Sequence, residues 1–72
     1  MTRSDLLRSL PAIDKVLKTE TVAALRREWL ASLVDDEVRA VVADARQRIL
    51  DGEEMAGLDA ESLAAAAGSR LA

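Results

Sequence analysis

Apolar residues recur at Val38, Val41, Val42, Ala45 and Ile49, spaced i, i+3, i+4, i+7 and i+11. That is the period of one face of an α-helix, not the alternation of a strand. A helix carrying such a stripe has to bury it against neighbouring elements. Strand signals are missing elsewhere, since no segment alternates and Trp29 is the only aromatic residue. The pattern predicts an all-α chain: a small bundle of three main helices plus a weak C-terminal helix.

Asp35 and Asp36 stand just ahead of the stripe. They predict its start, as a cap and as acids at the positive end of the helix dipole. Gly52 is placed to end it at the C′ position. Upstream, Val22, Leu25, Trp29 and Leu33 repeat at i, i+3, i+7 and i+11. They predict a second helix, capped by Thr19 or Thr21 and running to about Ser32–Val34. On that spacing Trp29 is a core residue, while the alternative for an indole is stacking on an RNA base. Leu10, Ile13, Val16 and Leu17 share a third face, so one short helix or two abutting ones are expected over about residues 4–18. Ser4 and Ser9 are the candidate caps there, and Pro11 falls near a first turn, where its missing N–H costs nothing. An acidic, turn-rich segment follows from Gly52 to Gly57. Asp59 then caps an alanine-rich helix to about Ala67, with Gly68 as its breaker and too little apolar bulk to pack well by itself.

Seventy-two residues allow one small domain with a thin core. The chain has no cysteine and no histidine. That excludes disulfides and thiolate metal sites, and removes the usual neutral-pH general base and the commonest metal ligand. Asp35-Asp36-Glu37 has no second ligand cluster to complete a cation site. There is no glycine-rich phosphate loop. Lys15 and Lys18 fall on an exposed face, unlike the desolvated lysine of a Schiff base. No catalytic residue, metal or cofactor is therefore expected within this chain. No apolar run approaches the roughly 20 residues of a membrane span, and Met1–Asp5 does not open a signal peptide. The expectation is a soluble, cytoplasmic protein.

The net charge of −3 hides an asymmetry. Residues 1–50 hold nine basic and eight acidic side chains, whereas residues 51–72 hold one arginine against five acids. The chain divides on this reading into a helical unit, 1–52, and an acidic linker with a lead-in helix, 53–72. A nonspecific nucleic-acid binder is basic overall, so any RNA contact here must be local. Successive helical residues are offset by about 100°. Arg39 and Arg46 then share one flank of the Val38–Ile49 stripe, a purely arginine edge, with Glu37, Asp44 and Arg48 on the opposite flank. Arg26 projects beside the apolar stripe of the second helix. Arg8, Lys15 and Lys18 face outward in the first helical region.

The run Leu10-Pro11-Ala12-Ile13-Asp14-Lys15-Val16-Leu17, with Leu25-Arg26, Arg39 and Ala45-Arg46 downstream, resembles the opening of bacterial selenocysteine synthase, L-seryl-tRNA(Sec) selenium transferase. The resemblance covers about residues 5–50, with the spacing from Leu10 to Arg46 free of gaps. It implies the N-terminal domain of that enzyme, which recognises the D-arm side of tRNA(Sec) and tells it from serine tRNA. It further implies a pyridoxal-phosphate-dependent catalytic domain outside this chain, holding the cofactor lysine, and a ring-shaped homo-oligomeric parent, a decamer. The parent reaction turns seryl-tRNA(Sec) into selenocysteinyl-tRNA(Sec) with selenophosphate. The candidate tRNA-binding residues are Arg8, Lys15, Lys18, Arg26, Arg39 and Arg46, of which Arg26, Arg39 and Arg46 match family arginines. Leu30 is a departure: the family often has an aromatic followed by glycine at this point, so a longer, unbroken helix is expected here. The alternative function is a helical docking or oligomerisation module without RNA contact. A helix-turn-helix is disfavoured, because Glu37 and Asp44 lie on the cleanest helix and no glycine-centred turn precedes it.

Overall fold

The computed structural model describes residues 3–53 and 58–72. Among them are five helices: α1 (Arg3–Ser9), α2 (Ile13–Leu17), α3 (Glu20–Glu28), α4 (Ala31–Leu50) and α5 (Ala60–Leu71). No described residue is in a strand, so the chain is an all-α bundle. The long helix α4 is its spine, and each of the other four packs against it. Val34, Val38, Val41 and Ala45 line the buried side of α4 and meet Val16 of α2, Val22 of α3, and Leu63, Ala64 and Ala67 of α5 in one core. No described helix is long and apolar enough to cross a membrane.

The first helical region is two helices. Pro11 biases the residue before it away from α-helical geometry, and α1 ends at Ser9. Pro11 itself precedes the extended N-cap Ala12 and is not in a first turn. Neither candidate serine caps a helix. Ser4 lies inside α1, and the Ser9 hydroxyl donates back to the Asp5 carbonyl at 2.9 Å. Thr19 is the N-cap of α3, as expected. Its hydroxyl accepts from the Val22 N–H at 3.3 Å and donates to the Val16 carbonyl at 2.8 Å. One buried oxygen thus closes α2 and opens α3.

The boundary between α3 and α4 falls earlier than the periodicity predicts. Trp29 (φ −127°, ψ 157°) and Leu30 (φ −58°, ψ 135°) are extended, and α4 begins at Ala31 without a side-chain cap. The expected unbroken helix at Leu30 is therefore absent. Glu20 to Leu50 as one helix would run to about 46 Å at about 1.5 Å per residue. The whole molecule is 37 Å in its longest dimension. The break lets α3 fold back so that Val22 and Val34 share one core. Asp35 and Asp36 consequently lie one turn inside α4 rather than at its start. Trp29 is not a core residue; it is 37% exposed, beside Leu30 at 76% and Leu33 at 41%.

The C-terminal end of α4 matches its glycine signal. Gly52 has φ 89°, its N–H donates to the Ile49 carbonyl at 3.1 Å, and the Glu53 N–H donates to the Arg48 carbonyl at 3.0 Å. That is the Schellman pattern, which satisfies two otherwise orphaned carbonyls. Of the expected acidic segment, residues 54–57 lie outside the described residues. Asp59 caps α5 as expected, accepting from the Ser62 N–H at 3.1 Å and the Ser62 hydroxyl at 2.8 Å.

Gly68 does not break α5, which continues to Leu71. Nor does α5 pack poorly. Leu63, Ala64 and Ala67 are buried, and Gly68 faces Leu25 so closely that an added Cβ would sit 3.2 Å from its Cδ2. Small side chains on one stripe let the backbone of α5 come near α3 and α4. Thr21 of α3 donates to Glu61 at 2.7 Å, and Arg70 donates to Glu37 of α4 at 2.8 Å, fixing both ends of the helix. The helix read as a lead-in therefore shares its core with helices of the 1–52 unit.

Candidate nucleic-acid interface

The six candidate residues separate by whether an acid already holds them. Arg26, near the end of α3, places its guanidinium on Asp35 of α4, with its Nη2 at 2.5 Å and its Nε at 3.2 Å from Oδ1. It clamps the first turns of α4 against α3 across the Trp29–Leu30 break. Its head group is committed to that contact. Arg39 meets Asp36 at 3.6 Å on the same helix, with both side chains largely exposed. Such a pair contributes about 0–1 kcal/mol and exchanges readily for another anion. Arg39 thus shares its flank with an acid, and the edge it makes with Arg46 is not purely arginine. Arg46 is exposed and pairs with no described acid.

Arg8, Lys15 and Lys18 are also exposed and without an acidic partner among the described residues. They sit where α1 gives way to α2. Arg8 is in the last turn of α1, Lys15 is in α2, and Lys18 is the residue that ends α2, its N–H donating to the Asp14 carbonyl at 3.2 Å. Arg8 and Lys15 line one open pocket of about 400 Å³ together with Leu10, Pro11, Ala12 and Ala60. The extended turn at Pro11 forms its wall, and the first turn of α5 closes one side. Among the described residues its lining contains no carboxylate. The contribution of Ala60 was invisible in the sequence, because it depends on how α5 docks.

Three other acids have partners of their own. Asp59, next to Ala60, has its carboxyl pulled below the ordinary carboxylate range by the hydrogen bonds from the Ser62 side chain and backbone. Asp44 pairs with Arg48 at 3.1 Å, and Glu37 with Arg70. The acids of 35–37 therefore act as ion-pair partners of three arginines rather than as a helix start.

A second surface feature has no counterpart in the sequence reading. Trp29, Leu30 and Leu33 form an apolar step at the α3–α4 break. Among the described residues no group of three or more acidic side chains is arranged to hold a metal ion. Lys15 and Lys18 are exposed, so neither fits the buried setting of a Schiff-base lysine.

These parts define a small helical bundle with a cationic junction at its α1–α2 end and an apolar step at its α3–α4 break. In comparisons with known proteins, no family model, no curated protein and no solved structure matches the chain.

Proposed function

We propose that this chain is the tRNA(Sec)-recognition domain at the N-terminus of a selenocysteine synthase. The observation that carries the reading is the α1–α2 junction, where Arg8, Lys15 and Lys18 have no acidic partner among the described residues while four other arginines bind acids. The Leu10–Leu17 run, which carries the resemblance, builds that same junction. The chain also breaks at Trp29–Leu30, where the family often has its aromatic–glycine pair. Recognition in this reading is by shape and backbone. Side chains cannot enter the deep A-form groove, so phosphates and 2′-hydroxyls receive the contacts. Arginine offers a planar fork to phosphate, and lysine a compact charge. Arg46 and the loosely paired Arg39 extend the footprint along α4, while Arg26 acts as a brace.

The parent protein, in this proposal, is a cytoplasmic decameric ring. Its separate catalytic domain binds pyridoxal phosphate and performs the selenium transfer, and the present domain delivers the correct tRNA to it. Binding of tRNA(Sec) is expected to weaken as salt rises, with a slope set by a handful of phosphates. Reversing Arg39 and Arg46 to glutamate, or Arg8 and Lys15 likewise, is expected to weaken tRNA(Sec) binding at least tenfold while leaving helicity intact. Filter binding with tRNA(Ser) as control checks this. Unchanged affinity in both folded double variants refutes the reading.

The exposed Trp29–Leu30–Leu33 step favours a second reading, a docking module seated on a larger body. Leu30→Ser would then abolish self-association or capture by the parent enzyme's remaining domains, and leave RNA binding untouched.

A further inference from the structure

We infer that the pocket between α1 and α2 is a subsite for one unstacked nucleotide. Its volume of about 400 Å³ lies within the range of about 300–1,000 Å³ common to small-ligand sites. Its lining is divided chemically. Arg8 and Lys15 supply two positive charges with no described acid to neutralise them, and Leu10, Pro11, Ala12 and Ala60 supply an apolar surface. A nucleotide has the same division: a phosphate dianion or diester at one end, and a flat base with low-polarity faces at the other. An inorganic anion alone would use the cations and leave the apolar surface wet. A purely apolar ligand would leave the two charges without a partner. The Ser9 hydroxyl is already committed to the Asp5 carbonyl, so it is not counted among the donors. Single-stranded or splayed bases are the usual targets of specific RNA recognition, because only they expose their faces and edges.

The inference deepens the RNA-binding reading and takes its biological ligand from it, but the pocket can be tested separately. The ¹⁵N-labelled chain is titrated at low salt with each nucleoside 5′-monophosphate, with inorganic phosphate, with the unphosphorylated nucleosides, and with tRNA(Sec). The expected result is saturable shifts at residues 8–15 and Ala60 with the monophosphates. Binding by phosphate alone or by nucleoside alone is expected to be at least tenfold weaker. Arg8→Gln with Lys15→Gln removes the monophosphate shifts while circular dichroism stays unchanged. Ala12→Glu, which places a carboxylate at the mouth without touching either cation, does the same. Equal binding of phosphate and monophosphate overturns the nucleotide assignment, as does the absence of saturable shifts at residues 8–15. If monophosphates saturate the pocket but tRNA(Sec) does not bind, the subsite stands and the RNA reading fails. If tRNA(Sec) shifts Arg46 and its neighbours but leaves residues 8–15 unmoved, the subsite fails while RNA binding moves to α4, away from the junction.

Discussion

Thr19 shows how much one side chain carries in so small a protein. It is a buried polar residue, and both hydrogen-bonding capacities of its hydroxyl are used, one on each flanking helix. Thr19→Ala is expected to cost about 1–2 kcal/mol, the range for losing an N-cap of this type. Thr19→Ser should recover most of it. Urea denaturation of the two variants checks the pair. Asp59 makes the corresponding cap on α5 but is exposed and ionisable. Its folded-state pKa is lowered, first by the Ser62 hydroxyl and then by the Ser62 N–H. A group with a depressed folded pKa stabilises above its unfolded value and loses that contribution as pH falls through the folded value. Helicity of α5 is therefore expected to drop on acidification below the ordinary carboxylate range. Asp59→Ala should have lower helicity at neutral pH and a shallower acid limb, read by circular dichroism. Both caps were legible as residue types, since Thr and Asp at those places have a short-range job. Ser4, Ser9 and Asp35 have the same residue chemistry and cap nothing. A cap also requires the chain to turn there, and the turns at Pro11 and at Trp29–Leu30 lie elsewhere.

At the scale of helices, α4 was legible in its face and its end. Its buried residues Val34, Val38, Val41, Ala45 and Ile49 fall on one stripe, and Gly52 supplies the left-handed residue that closes it. Its start was not legible. No glycine or proline marks positions 29 and 30, and the periodicity of Val22, Leu25, Trp29 and Leu33 runs straight through them. The break there is set by packing: α3 buries Val22 against α4 and α5 only if it reverses, and Arg26 then reaches Asp35. For α5 the error ran the other way. Alanine runs look too weak to build a core, yet Ala64 and Ala67 are fully buried because their small size allows a close approach. Ala64→Leu is thus expected to destabilise by about 1–3 kcal/mol through overpacking. An ordinary gain from added apolar area would give the opposite sign, so thermal melting of this variant separates close packing from loose docking.

For the whole molecule, stability per residue of about 0.05–0.15 kcal/mol gives a total of only about 4–11 kcal/mol. Removing a helix from such a chain is not a local event. A chain ended after Glu53 loses Leu63, Ala64 and Ala67 from the core and the Thr21–Glu61 and Glu37–Arg70 contacts. It is expected to lose its cooperative thermal transition. A sharp transition retained by the shortened chain would instead show that residues 1–53 are sufficient and that α5 is an appendage. The charge distribution also acquires meaning only at this scale. Arginines that look equivalent along the sequence separate into braces, such as Arg26 and Arg70, and cations with no acidic partner among the described residues, such as Arg8 and Arg46.

The helical class, the buried stripe of α4, the caps at Thr19 and Asp59 and the closing role of Gly52 all follow from interactions reaching no more than a few residues along the chain. Periodicity and capping are written at that range, so a reader of the sequence can recover them. The Trp29–Leu30 break, the exposure of Trp29, the burial of Ala64 and Ala67 and the pairing of Arg26 with Asp35 depend on residues that meet only after the helices pack. So does the open pocket that Ala60 lines together with Arg8 and Lys15. Those meetings are selected by which arrangement buries the most apolar surface in a thin core, and no local pattern encodes that choice.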